Sequence, residues 1–407
     1  MPGVLPDGEP VPRSGALPPS ALARVGRHGF GVYAHVPFCA SRCGYCDFNT
    51  YTAAELGPGV SRDTYVDTVL AELALARRVL ADRPPRRVDT VFVGGGTPTL
   101  LSPDDLGRLL AAIDETFGLA PDAEVTLEAN PESVDRRSLK ALRGHGYTRI
   151  SLGMQSVSPH VLALLDRRHT PGRAAQAATE AGDAGFEHVN LDLIYGTPGE
   201  TEEDFAASLA AVLAAGVDHV SAYALIVEDG TRLAARVRRG EVPQPSDDVA
   251  ADRYLAAEAA LSEAGFAWYE VSNWSSGPEA RCRHNLLYWT GGDWWGLGPG
   301  AHSHVGGVRW WNVKHPANYT RRLAAGESPG QAREVLTDAE RHTEEVLLRL
   351  RLSTGLPVDL LGRAARAAAE RAADAGLLAS AELAAGRAVL TLRGRLLADA
   401  VVRDLLD

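Results

Sequence analysis

The stretch Gly31-Val32-Tyr33-Ala34-His35-Val36-Pro37-Phe38-Cys39-Ala40-Ser41-Arg42-Cys43-Gly44-Tyr45-Cys46-Asp47-Phe48 runs from a β-type segment straight into three cysteines spaced C-x3-C-x2-C. Three soft thiolates on one short loop make a metal-ligand set. Tetrahedral zinc normally recruits four ligands, and no fourth Cys or His follows at close range; a zinc loop would need completion by a residue such as His35 or Cys282. Iron–sulfur clusters are held by thiolates, usually four, so three would leave one iron open to an outside ligand. A chance grouping of buried thiols is the remaining alternative. With 4 cysteines in 407 residues, and Cys282 far from the other three, a disulfide framework is excluded.

Outward from this loop, five more β-type segments recur: TVFVGG (90–95), EVTLEA (124–129), RISLGM (149–154), VNLDLIYG (189–196) and HVSAYAL (219–225). Helical patterns separate them, the first carrying Val66, Val69, Leu70 and Leu73 at helical spacing. Ser102-Pro103, Ser158-Pro159 and Thr170-Pro171 each place an N-cap residue ahead of proline, and Thr201 precedes the acidic pair Glu202 and Glu203. Strands alternating with helices predict parallel pairing through right-handed crossovers, as an open doubly wound sheet or a partial barrel. In both, ligands collect beyond the carboxyl ends of the strands. The chemically unusual residues sit on that rim: the cysteines, Gly94-Gly95-Gly96-Thr97-Pro98, Glu128, Gln155 and Asp192.

The texture changes after about residue 230. An amphipathic stretch leads into WYEVSNWS and a Trp-, Gly- and His-rich region from Cys282 to Trp311; from Asp338 come short helices, a β-like VLTLRG and a final apolar helix. The expected organisation is a flexible extension (1–28), an α/β body (29–230), an extension of it (231–335) and a small winged-helix-like, α-rich terminal domain (336–407). A balance of 41 Lys+Arg against 52 Asp+Glu, net −11, argues against nucleic acid as a partner. No apolar run reaches the ~18–20 residues of a membrane span, and no basic-then-apolar leader opens the chain, which points to the cytoplasm.

The cysteine spacing, with Tyr45 in its last gap, is the signature of radical S-adenosylmethionine (SAM) proteins. YAHVPFCASRCGYCDF, FVGGGTPTLL, LEANPES, RISLGMQS, NLDLIYGTPGET and CRHNLLYW resemble the oxygen-independent coproporphyrinogen III oxidase superfamily, and most closely its HemW branch of heme chaperones, from about residue 30 onward. The resemblance implies a partial (β/α)6 barrel and a [4Fe–4S] cluster on Cys39, Cys43 and Cys46. Its open iron would chelate SAM, and its electron would cleave SAM to a 5′-deoxyadenosyl radical. By position, the resemblance places SAM contacts on Tyr33, Tyr45, Gly95, Gly96, Thr97, Glu128, Gln155, Arg167 and Asp192. These residue types suit the task. Glycines let backbone approach the methionine end, carboxylates and amide can bond ribose hydroxyls or the amino group, and Arg167 can pair with the carboxylate.

The late His284-Asn285-Leu286-Leu287-Tyr288-Trp289 matches the H-N-x-x-Y-W motif that the resemblance ties to heme. Heme needs an axial ligand and apolar faces. His284 offers an imidazole and Cys282 a thiolate, Tyr288 and Trp289 offer flat surface, and the motif selects His284; a hydrogen-bonded structural histidine is the plainer alternative. Trp294, Trp295, Trp310 and Trp311 read as packing residues, and His302 and His304 as loop and pocket residues. The implied function is heme delivery to an acceptor protein such as a membrane-associated cytochrome, with a homodimer left open. The rival is the coproporphyrinogen III dehydrogenase reaction, a radical-SAM oxidative decarboxylation. Against it stand Phe48, where the oxidase motif carries a fourth cysteine, and an N-terminal segment of only about 28 residues before the first strand.

Overall fold

The computed structural model describes residues 8–57 and 60–406. In chain order its main sheet comprises β1 (Glu9–Pro10), β2 (Phe30–Val36), β3 (Val88–Gly95), β4 (Leu119–Ala129), β5 (Arg149–Gln155), β6 (His188–Tyr195) and β7 (His219–Ala224). It continues with β8 (Ala267–Glu270), β9 (Asn273–Ser275), β10 (Asp293–Leu297), β11 (His302–Val305), β12 (Val308–Asn312) and β13 (Gly330–Val335). The six expected segments are β2 to β7, adjacent and parallel throughout. Helices Arg62–Val79, Pro103–Phe117, Arg136–Gly144, Arg173–Asp183 and Glu202–Ala214 form the crossovers. Strands covered on one face by these helices and filled on the other read as nearly unbroken apolar runs, and every residue of β2 except Tyr33 is buried. Six parallel strands with helical crossovers are the (β/α)6 unit expected from the sequence.

Local chemistry sets the crossovers. The Oγ of Ser102 accepts from the Asp105 amide, and Thr201 forms a capping box with Asp204. Ser158 stands at an N-cap position but donates to Asp204 across 2.6 Å instead of capping. Thr170 caps nothing. Its amide is taken by Glu132 and the helix begins at Arg173, after Gly172 in the left-handed region at φ 77°.

The sheet is larger than the repeating pattern predicts. On one edge β10 pairs parallel with β2, and β11, β12, β13 and β1 continue it; on the other, β9 and β8 follow β7. The segment expected to be a flexible extension is folded from residue 8 onward: Glu9 and Pro10 pair with Arg333 and Ala332, and Leu17 and Ala21 are buried. Residues 1–7 lie outside the described residues.

A second core gathers Val346, Leu350, Leu356, Ala369, Leu378, Val401 and Leu405 from the C-terminal helices. Beside them β14 (Leu356–Pro357) and β15 (Arg387–Ala388) form a two-stranded wing. The β-like VLTLRG contributes only an isolated bridge at Leu390, because Thr391 caps a helix that starts at Leu392. Arg395 ties this module to the body, 2.8 and 3.0 Å from the Glu258 carboxylate and 4.3 Å over the Trp268 ring.

Candidate functional site

The cysteine loop leaves the carboxyl end of β2 and is anchored to its neighbours by backbone bonds. Gly96 and Thr97 donate to Val36 and Phe38 at 2.8 and 2.7 Å, Cys39 donates to Tyr51 at 3.0 Å, and Gly44 donates to Leu165 at 3.0 Å. A Cβ on Gly96 would stand 2.4 Å from the Phe38 carbonyl oxygen, so only glycine permits this approach. The three thiols of Cys39, Cys43 and Cys46 line one cavity of about 330 Å³. Tyr45, Gly95, Gly96, Thr97, Glu128, Gln155, Arg167 and Asp192 line the same cavity. Of the thirteen anticipated cluster, SAM and heme positions, the eleven other than Tyr33 and His284 line this cavity.

The carboxylates are held, not loose. Asp192 accepts from Asn190 Nδ2 at 2.7 Å and from Ser151 Oγ at 3.1 Å. Glu128 Oε2 accepts from the Gly95 amide at 2.9 Å. Burial, reinforced by the Asp192 charge, pushes the Glu128 carboxyl up to about 7, and burial raises Asp192 as well against its hydrogen bonds. Arg167 donates to the Gly153 carbonyl at 2.9 Å and stands 3.6 Å from Cys43 Sγ.

Two observations fit a polar ligand at this cavity. Gln155 adopts φ 64°, uncommon outside glycine, and its Oε1 is buried without a partner among the described residues; so is Arg167 Nε. A polar ligand seated among the cysteines would satisfy both atoms. The zinc alternatives lack their fourth group. His35 is engaged at both ring nitrogens, by Tyr33 Oη and the Asn49 carbonyl at 2.9 Å each, and Cys282 is buried 3.5 Å from Glu124. Among the described residues no three His, Cys, Asp or Glu side chains converge on a single ion position. Three cysteines on one cavity with no fourth protein ligand among the described residues fit a cluster with an open iron better than a four-ligand zinc ion.

Tyr33 lines a second, larger cavity of about 1300 Å³ together with His35, Tyr288, Trp294, His302 and Trp311. Cys46, Phe48, Gly95 and Glu128 line both cavities, so the two adjoin beside the third cysteine. The tryptophans divide. Trp295 and Trp310 pack edge to face in the core at 4.8 Å, as expected, whereas Trp294 and Trp311 form cavity wall. His302 belongs to β11 rather than to a loop.

His284 does not line this cavity as an open ligand. Its side chain is 1% exposed, with Nδ1 2.8 Å from Thr90 Oγ1 and Nε2 2.8 Å from Tyr288 Oη. Burial drives its pKa down to about 3, which keeps the ring neutral. The helix Arg283–Trp289 plugs the amino-terminal end of the barrel, where Glu124 accepts the Arg283 and His284 amides at 3.0 Å each and pairs with Arg149 Nε at 3.0 Å. The buried Glu124 carboxylate thus has its charge met by a helix N-terminus and an arginine, without which its burial would be costly. The expectation of an imidazole presented to iron thus meets a histidine whose two nitrogens are already used. Ser151, Asn190 and Thr90 carry no motif in the sequence; their only signal is a strand register shared with Arg149, Asp192 and Phe92 respectively.

The model of the Radical SAM superfamily matches residues 33–212. Heme chaperone HemW of Mycobacterium tuberculosis (strain ATCC 25618 / H37Rv) is 59% identical over 385 residues, which cover 95% of this chain and 97% of that protein. Heme chaperone HemW of Escherichia coli (strain K12) is 37% identical over 274 residues, 67% of this chain and 70% of that protein. Among solved structures, coproporphyrinogen III oxidase (HemN) from Escherichia coli superposes with a TM-score of 0.78 at 24% identity, over 95% of this chain and 91% of that one, a likeness of fold. With that extent of identity over nearly its whole length, the chain belongs to the HemW heme chaperones of the radical-SAM superfamily.

Proposed function

We propose that this chain carries heme to an acceptor protein and that Cys39, Cys43 and Cys46 hold a [4Fe–4S] cluster with S-adenosylmethionine bound beside it. The observation that carries the reading is that two cavities adjoin at Cys46: a thiol-lined one with unpartnered polar atoms, and an aromatic one large enough for a flat macrocycle. When bound, the cluster and SAM supply one-electron reductive chemistry at an open iron. The chain's own part is positioning. Arg167 and Gln155 offer an unpaired donor and acceptor, Gly95 and Gly96 bring backbone within reach, and Glu128 beside Asp192 offers a carboxyl poised near neutrality for ribose or amino contacts.

The aromatic cavity is the heme seat, and Phe48, 61% exposed at the shared wall, adds apolar surface where a fourth thiol would otherwise stand. Among the described residues no helix is long and apolar enough to cross a membrane. Delivery is to a heme-accepting protein such as a membrane-associated cytochrome, from the cytoplasm. The test is anaerobic: protein with its cluster rebuilt is loaded with hemin and mixed with an apo-cytochrome, while a parallel sample receives coproporphyrinogen III and SAM. Heme appearing on the acceptor with no porphyrin conversion is expected. Conversion of coproporphyrinogen without heme transfer overturns the proposal.

A further inference from the structure

Four histidines stand at or near the large cavity, and their ring nitrogens differ in what they have left to offer. His35 has both nitrogens committed, to Tyr33 and Asn49. His284 has both committed, to Thr90 and Tyr288. His304 spends Nδ1 on the Gly292 carbonyl at 3.0 Å and faces Trp294. His302 lines the cavity, and its ring makes no hydrogen bond among the described residues. It is nevertheless held in place. The ring stacks on Trp311 with centroids 6.0 Å apart at 27°, and its own carbonyl accepts from Trp294 Nε1 at 2.9 Å. β11 and β12 set this up by pairing His302 directly with Trp311.

An exposed imidazole stacked on Trp311 with no hydrogen-bond partner among the described residues, on the wall of an aromatic cavity, has the chemistry of an axial ligand. Its charge state agrees. Desolvation by the cavity walls, with Lys314 and Arg309 nearby, lowers its pKa and keeps the ring neutral, the form that ligates iron. The surrounding charges differ in availability. Arg309 is already paired with Glu334 at 2.5 Å and with Glu344, whereas Lys314 has no ion-pair partner among the described residues. An unpaired ammonium on the wall suits a propionate.

Resting on the heme reading above, we infer that His302 supplies the axial ligand to heme iron and that Lys314 pairs with one propionate, with Trp294, Trp311 and Tyr288 as walls for the macrocycle. His284 then serves as a positioning residue, holding Tyr288 in that wall through the barrel plug.

The experiment is hemin titration of the full-length protein, followed by Soret absorbance and by electron paramagnetic resonance of the ferric complex. The variants are His302→Ala, His284→Ala and Lys314→Gln, each checked by circular dichroism. His302→Ala is expected to lose the imidazole-ligated spectrum and weaken binding by about tenfold or more, with free imidazole restoring the spectrum. Lys314→Gln is expected to weaken binding severalfold with the ligation spectrum unchanged, and His284→Ala to keep the wild-type ligation spectrum. A His302→Ala protein with wild-type spectrum and affinity overturns the assignment while leaving the heme reading intact. A wild-type protein that takes up no hemin overturns both.

Discussion

The hydroxyl of Tyr288 lies 2.8 Å from Nε2 of His284, one helical turn away, so the imidazole of the H-N-x-x-Y-W motif is turned onto a phenol of its own helix. Thr90 holds the opposite ring nitrogen, and no edge of the ring is left for a ligand. Removing either partner strands a buried polar group, which costs roughly 1–3 kcal/mol. Tyr288→Phe and His284→Ala are therefore expected to lower the unfolding free energy by about that amount each, and the double variant by less than their sum. Urea denaturation of the four proteins measures the coupling, and strict additivity would show that the two side chains act separately.

The thiols divide into a group of three and one apart. Cys39, Cys43 and Cys46 share a cavity, while Cys282 is buried against Glu124 at the other end of the barrel, its thiol raised strongly by burial. Replacing any one of the first three by Ala is expected to reduce cluster iron to background after anaerobic reconstitution, since two thiolates do not fix a cluster in place. Cys282→Ala is expected to retain full iron and the broad visible absorbance. Iron and acid-labile sulfide analysis decides it, and the reverse pattern would remove the basis for placing a cluster on this loop.

Gly96 is the tightest point between β3 and the cysteine loop. The 2.4 Å that would separate a new Cβ from the Phe38 carbonyl oxygen is a backbone clash, so relief requires the loop to move. Gly96→Ala is expected to weaken SAM binding by at least about tenfold and to reduce cluster occupancy, because Thr97 and Phe38 are hydrogen-bonded across the same gap at 2.7 Å. Isothermal titration with SAM under anaerobic conditions reads the first effect. Unchanged affinity would mean that the backbone there does not contact the ligand.

How much of this is visible without coordinates depends on the range of the interactions. The barrel strands and the cysteine loop are legible because their signals are local: an apolar run, a following cap, three thiols within eight residues. β8 to β13 are not, because they are short and broken by glycine and tryptophan, and the pairing that joins them to the barrel reaches far along the chain, as Trp295 does to Val32. Residues 8–28 look like a tail because Pro and Gly dominate them, yet Glu9 gains its conformation from Arg333. The cavity that Tyr33 lines is completed by Tyr288 and Trp294 from distant segments, which no local pattern around Tyr33 announces. For His284 the residue type suggests a ligand, and only the positions of Thr90 and Tyr288 reveal a plug.

Glu72, on the first crossover helix, couples that helix to the C-terminal half of the sheet. Its carboxylate accepts from the Gly298 amide at 2.8 Å, from Asn312 Nδ2 at 2.7 Å and from the Tyr319 hydroxyl. Burial outweighs these bonds and pushes its pKa from 4.5 up to about 7. Between those values the folded protein holds a proton that the unfolded chain has released. The associated stability is complete below about pH 4.5 and is lost as pH rises through about 7, a decline worth about 3 kcal/mol at 1.36 kcal/mol per unit. Glu72→Gln removes that titration and is expected to flatten the corresponding part of the stability curve between pH 5 and pH 8. Glu128 and Glu200, also raised to about 7, keep a residual slope of the same sign in the variant. Guanidinium denaturation of both proteins at each pH measures the difference, and identical pH profiles would show that Glu72 ionises in the fold as it does in the unfolded chain.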